Sequence, residues 1–191
     1  MIILDKEILF AKLREDVKIP TKREEDGAFD IYANFSEDYM VIEPHTTKLI
    51  PTGLASAFSS DYVAILKERG STGTKGIGQR CGVIDSGFRG EWFVPLTNHN
   101  NIPLVIAKNQ WVEKKSDKND IRLRWLLDEL LTTTNHQPNE EDLYIIYPYN
   151  KAICQCIMVE VPKLKIEEVT IDEIMSIESE RGTGALGSSG K

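Results

Sequence analysis

Asp85 stands at the centre of Cys81-Gly82-Val83-Ile84-Asp85-Ser86-Gly87-Phe88-Arg89-Gly90-Glu91, between an apolar pair and a Ser-Gly turn. A carboxylate held at the base of a glycine-punctuated hairpin can orient and deprotonate a water. A turn aspartate can equally cap its own backbone, and Arg89 and Glu91 can be solvated strand residues. Twelve or so residues earlier, Arg69-Gly70-Ser71-Thr72-Gly73-Thr74-Lys75-Gly76 follows the β-rich run Tyr62–Leu66. Such a turn offers backbone N–H groups, hydroxyls and a guanidinium to phosphate oxygens. It lacks the Walker spacing, and a glycine-rich surface turn has the same composition. Farther on, the alternation from Ala152 to Val161 puts Cys154 and Cys156 on one strand face and Gln155 on the other, so that one face packs and the other can bind.

These groups need a scaffold, and the pattern around them is that of short strands. Leu9–Leu13, Gly27–Ala33, Met40–Ile42, Lys48–Thr52, Tyr62–Leu66, Glu91–Leu96 and Leu104–Ile106 are β-rich and separated by turn residues, at the spacing of a β-barrel or sandwich. Pro51 and Pro95 predict strand edges or bulges. Lys22-Arg23-Glu24-Glu25-Asp26 reads as an exposed turn. From about 109 to 149 the pattern changes, with a helix expected over Asp120–Leu131, whose leucines share one face, and a strand over Leu143–Tyr147. This stretch reads as an insertion in a β domain. Ile121 and Trp125 lie off the leucine face of that helix, which makes it either buried on two sides or a contact surface. Residues 163–179 fit a strand or a short helical turn, and the Gly/Ser-rich end has too little apolar surface to fold until something orders it.

Composition narrows the function. The 191 residues carry a formal net charge of −7, which argues against broad adhesion to nucleic acid or to a membrane surface. The window Lys67–Glu91 is locally positive, so a small polyanion has a place to bind. Three cysteines without a C-x-x-C pair and three scattered histidines indicate neither a disulfide framework nor a zinc site. A reducing, cytoplasmic setting is expected, and no apolar run reaches membrane-helix length.

In order, these elements resemble the trimeric dUTPases, the deoxyuridine triphosphate nucleotidohydrolases. Asp26–Ala33 is similar to that family's first motif, Arg69–Gly76 to the second, Gly82–Glu91 to the third, Lys151–Gln155 to the fourth and Arg181–Gly190 to the fifth. The third is the most specific. The resemblance spans the chain apart from the insertion, which falls between the third and fourth motifs, as in some phage members. Departures are Gly70 in the second motif where Ser is usual, Phe88 where Tyr is usual in the third, and Ala185-Leu186 where Gly-Phe is usual in the tail.

The resemblance implies a jelly-roll-like β-barrel over 1–180, a flexible active-site tail over 181–191, and a homotrimer whose sites draw on several subunits. It implies hydrolysis of dUTP to dUMP and pyrophosphate, with Asp85 activating the water. Arg69, Gly70, Ser71, Gln155 and Arg181 would neutralise phosphate, with Asp30 in support. The backbone from Gln79 through Gly82, Val83 and Ile84 would read uracil, and Phe88 would lie under the deoxyribose. Leu186, Gly187, Ser188 and Ser189 would close over the substrate. Mg2+ would be held by the triphosphate and water, with no direct protein ligand. If phage-encoded, the protein would act in the host cytoplasm. Two other readings compete: a dCTP deaminase or bifunctional relative, with Glu91 as its acid/base, and a regulatory protein-binding role of the insertion through Ile121 and Trp125.

Overall fold

Alternating apolar and polar residues between glycine- and proline-rich turns give twelve strands in the computed structural model, which describes residues 7–108 and 145–183. They are β1 (Ile8–Lys12), β2 (Phe29–Tyr32), β3 (Tyr39–Ile42), β4 (Thr47–Pro51), β5 (Leu54–Phe58), β6 (Tyr62–Lys67), β7 (Ile77–Gln79), β8 (Val83–Ile84), β9 (Phe93–Asn98), β10 (Leu104–Ala107), β11 (Ile145–Pro148) and β12 (Ala152–Glu160). Two short helical turns, α1 (Gly70–Gly73) and α2 (Ile171–Met175), complete the described elements. The strands pair in the orders β1-β5, β11-β10-β3, β2-β12-β6-β8 and β4-β9-β7. All pairings are antiparallel except β10–β11.

The chain forms two compact units, Met1–Val161 and Pro162–Lys191. In the first, the period-two pattern turns one face of each sheet inward. On β2-β12-β6-β8 the inner face carries Ile31, Cys154, Cys156, Ala64, Leu66 and Ile84, all buried. These join residues of the other sheets, among them Ile42, Ile50, Phe58, Trp92, Leu104 and Tyr147, in one core. The result is the expected all-β barrel. Trp92 is fully buried, edge-on to Phe10 at 5.5 Å, and its indole N–H donates to Ser56 Oγ at 3.1 Å. That bond satisfies the one polar atom of the largest core side chain. Burial pushes the Cys156 thiol up to about 12, and burial beside Cys156 also raises Cys154, so both behave as core side chains rather than nucleophiles.

Several expectations need correction. Strand β5 escaped notice because Leu54-Ala55-Ser56-Ala57-Phe58 is small-residue rich and buried at almost every position, so it shows no alternation. β7, three residues with a central glycine, is too short to give a pattern. Pro95 lies in β9, the middle strand of β4-β9-β7, rather than at an edge. It is tolerated because β7 ends at Gln79: the Pro95 carbonyl accepts from Arg80 N–H at 3.0 Å, and no strand continues there to require the missing donor. The far end of the 109–149 segment enters the barrel, since β11 pairs with β10 in register Leu104↔Ile145 to Ala107↔Pro148. Residues 120–131, with Ile121 and Trp125, lie outside the described residues.

The second unit resolves the strand-or-turn ambiguity at 163–179 in favour of a helical turn. Thr170 caps α2: its Oγ1 accepts from Glu173 N–H at 3.2 Å, while Glu173 reaches back to Thr170 N–H at 2.7 Å. This reciprocal pair is the capping box that starts a helix. Among the described residues no helix is long and apolar enough to cross a membrane.

Candidate active site

The turn after β6 is built to hold Arg69. Its N–H donates to Thr72 Oγ1 at 3.1 Å and Thr72 Oγ1 donates back to the Arg69 carbonyl at 2.9 Å, which curls Gly70–Gly73 into a single helical turn. The guanidinium then forks onto Asp30 of β2, Nε to Oδ1 at 2.9 Å and Nη2 to Oδ2 at 3.4 Å. Its remaining nitrogen, Nη1, donates to Ser71 Oγ at 3.2 Å and to the Ala152 carbonyl at 3.3 Å. Gln155 enters from β12, where it lies between Asp30 and Lys67 in register, and donates to the Glu68 carbonyl at 2.7 Å. Hydrogen bonds from its own N–H, and from Gln79, hold the Glu68 carboxyl below the usual range.

Arg69, Gly70, Ser71, Asp30 and Gln155 all line one open cleft of about 970 Å³. The rest of its wall, Thr21, Lys22, Arg23, Asp26, Gly27, Ala28 and Ile157, was not anticipated apart from the Asp26–Ala28 part of the first motif. The signal for Thr21–Arg23 was local charge, but a charged turn reads as solvated until the pairing of Thr21 with Asp30 brings it beside the cleft. The donors in this cleft suit an anion. Among the described residues no three His, Cys, Asp or Glu converge, and its two carboxylates, Asp26 and Asp30, each sit on an arginine. Such a set forms no protein cage for a divalent cation among the described residues, so a cation in this cleft would need oxygen ligands from another source.

Asp85 is elsewhere. The stretch 81–91 is not a hairpin paired with itself: β8 pairs with β6, and β7 before it pairs with β9. Gly82 makes this possible, because its carbonyl accepts from Leu66 N–H at 2.7 Å and a Cβ there would lie 2.3 Å from the Leu66 carbonyl oxygen. Cys81 just before it takes φ 51°, the left-handed conformation. Asp85 then opens a turn closed by its backbone, Phe88 N–H to Asp85 O at 3.0 Å. Its carboxylate therefore does no capping. It is exposed and accepts no hydrogen bond among the described residues.

The loop beyond is pinned. Arg89 Nη1 donates to the Ser86 carbonyl at 2.6 Å and to that of Ser56 at 3.3 Å. Gly90 leaves the space that the Phe88 ring occupies, since a Cβ would come within 2.6 Å of it. Phe88 and Val83 remain 44% and 64% exposed, an apolar pair flanking a free carboxylate. Glu91 is committed: its Oε1 accepts from Arg14 Nη2 and from Gly53 N–H, both at 2.7 Å. Arg14 also grips the Asn34 side chain and, at 2.9 Å, its carbonyl.

Sheet register separates the two constellations. Asp85 follows Val83 and Ile84, which face Ile65 and Ala64, so it falls level with Val63 and Val159. That is four residues along and two strands across from Gln155, roughly 16 Å. Asp85 is not among the residues that line the cleft. Arg181 and Gly182 lie in the second unit, where Gly182 N–H donates to Ser179 Oγ at 3.2 Å, and Leu186, Gly187, Ser188 and Ser189 lie outside the described residues.

Comparison with known proteins gives a consistent match. A family model described as dUTPase matches residues 15–112. The deoxyuridine 5'-triphosphate nucleotidohydrolase of Leptospira interrogans is 32% identical over 125 residues, which cover 63% of this chain and 83% of that protein. A Pol polyprotein of caprine arthritis encephalitis virus is 34% identical over 104 residues, 54% of this chain but only 9% of the polyprotein. Among solved structures, the dUTPase of Staphylococcus bacteriophage 80alpha with dUPNHPP shares the fold, with a TM-score of 0.66 at 20% identity over 98% of this chain and 100% of that one. With the family model spanning the barrel from Glu15 through β10 and the Leptospira enzyme matched over most of its length, the chain belongs to the dUTPase family.

Proposed function

We propose that the protein hydrolyses dUTP to dUMP and pyrophosphate at a centre that combines the Arg69 cleft of one copy with Asp85 of another. The observation that carries this reading is the gathering of Asp30, Arg69, Ser71 and Gln155 in one cleft, while Asp85 stands exposed and unpartnered about 16 Å away. The triphosphate lies in the cleft, where the Arg69 guanidinium, Ser71 Oγ, the Gly70 and Ser71 N–H groups and the Gln155 amide offset charge on its non-bridging oxygens. Asp85 takes a proton from a water as that oxygen bonds to the α-phosphorus. The bond from that phosphorus to the α–β bridging oxygen breaks, and the pair of electrons leaves with pyrophosphate. Mg2+ chelated by the triphosphate would supply further charge neutralisation, while Asp30 orients the Arg69 guanidinium toward the same phosphates.

The backbone between Gln79 and Ile84 reads the uracil edge, with Gly82 and Val83 at its centre and Phe88 against the deoxyribose. The tail, with Arg181, Leu186, Gly187, Ser188 and Ser189, closes over the bound nucleotide and excludes water. In any closed ring of copies each one both lends and receives an Asp85, and the homotrimer typical of the dUTPase family is such a ring. The deaminase alternative is disfavoured by Glu91, whose carboxylate is engaged by Arg14 and Gly53 instead of facing a pyrimidine site. An assay of pyrophosphate and ammonia release across dUTP, dCTP, dTTP and UTP tests the reading. Mg2+-dependent pyrophosphate release from dUTP alone is expected; ammonia from dCTP would replace it with deamination.

A further inference from the structure

The turn Lys22–Asp26 does more than link β1 to β2. Its base is pinned by Asp30 N–H donating to the Thr21 carbonyl at 3.1 Å, and Lys22 closes it from within, Nζ donating to the carbonyls of Asp26 at 2.8 Å and Glu24 at 3.3 Å. On this platform Arg23 forks onto Asp26, Nε to Oδ2 and Nη2 to Oδ1, both at 3.0 Å, while the Arg23 N–H donates to Oδ2 at 3.2 Å. The cleft therefore carries two Arg–Asp forks, Arg69 on Asp30 and Arg23 on Asp26, each carboxylate holding its guanidinium by one edge. The other edge of Arg23, with Nη1, makes no hydrogen bond among the described residues, and the side chain is 88% exposed.

We infer that Arg23 is a further phosphate-binding residue, which meets the terminal phosphate of a triphosphate whose inner phosphates lie at Arg69 and Ser71. This deepens the reading of the cleft as a triphosphate site and rests on it. Arg23 lines the same cleft of about 970 Å³ as Arg69, Gly70 and Ser71, so a polyanion longer than a single phosphate can meet both arginines. Arginine suits the far end because a planar fork can keep one edge on a carboxylate and offer the other to phosphate. Asp26 holds the side chain and Lys22 the backbone of the turn beneath it, so less conformational freedom is lost when the ligand arrives.

The test is calorimetric titration of the full chain with inorganic tripolyphosphate and with pyrophosphate, for the wild type, Arg23→Ala and Arg23→Glu, alongside dUTP kinetics. Arg23→Ala is expected to weaken tripolyphosphate binding about tenfold, Arg23→Glu more, and pyrophosphate binding by no more than about twofold. The KM for dUTP should rise with kcat held. Because Arg23 lies on the surface, both variants should fold, which circular dichroism checks. Wild-type tripolyphosphate affinity in both variants, or equal losses for the two anions, would overturn the assignment whatever dUTP does. If the wild type leaves dUTP intact yet binds tripolyphosphate through Arg23, the hydrolytic reading falls and the phosphate contact stands.

Discussion

Asp85→Asn is expected to lower dUTP turnover by roughly 10²–10⁴-fold, the range for loss of a general base, with little change in thermal midpoint. The expectation of intact folding comes from the local structure. The Asp85 carboxylate is exposed and accepts no hydrogen bond among the described residues, and the turn it begins is closed by backbone groups that asparagine retains. β8 stays in place through Gly82 against Leu66, and the loop's other end through Arg89 and Glu91. A steady-state assay with a parallel melting curve separates the two effects. Turnover near the wild-type rate would remove Asp85 from the base role, and a collapsed melting curve would make it structural.

Arg69→Ala should cost roughly 10²–10³-fold in kcat/KM, comparable to removing a main electrostatic stabiliser of a transition state. Two losses combine. The guanidinium no longer reaches phosphate, and Asp30 is left as an uncompensated carboxylate in a cleft that must accept a polyanion. Stability should fall much less, because the Arg69–Asp30 pair is partly open to solvent, with side chains 28% and 36% exposed. Arg69→Lys would keep the charge but not the fork, so it should recover only part of the activity. Full activity in the alanine variant, followed as pyrophosphate release at saturating and limiting dUTP, would show that the cleft is not where the phosphates bind.

Much of the scaffold was legible because its strands face core on one side and water on the other. β6 and β12 announce themselves by alternation, and the same alternation correctly put Gln155 opposite the buried Cys154 and Cys156. The glycines of the 81–91 stretch marked a tight place, and Gly82 against the Leu66 carbonyl is the physical reason. What failed to register was tertiary. β5 is covered on both faces and loses its period, and Pro95 is acceptable in a middle strand only because β7 stops short.

The Arg14–Glu91 contact joins residues far apart in sequence, so Glu91 looked available for chemistry when it is in fact occupied. Likewise Lys22–Asp26 has the composition of a solvated turn, and only the bridge from Thr21 to Asp30 makes it a cleft wall. The separation of Asp85 from the cleft follows from the register of β12, β6 and β8, which no local pattern encodes.

That separation underlies the central claim, that one hydrolytic centre is assembled from two copies. Subunit mixing tests it most directly: Asp85→Asn and Arg69→Ala chains, each nearly inactive alone, are unfolded together, refolded and assayed for pyrophosphate release from dUTP. If Asp85 serves a neighbour's cleft, random mixing at equal amounts gives centres with both groups intact, and about a quarter of the wild-type activity per site should return. If each chain supplied both groups to its own centre, no mixture would regain activity above the two variants alone, and the account of a shared centre would be contradicted.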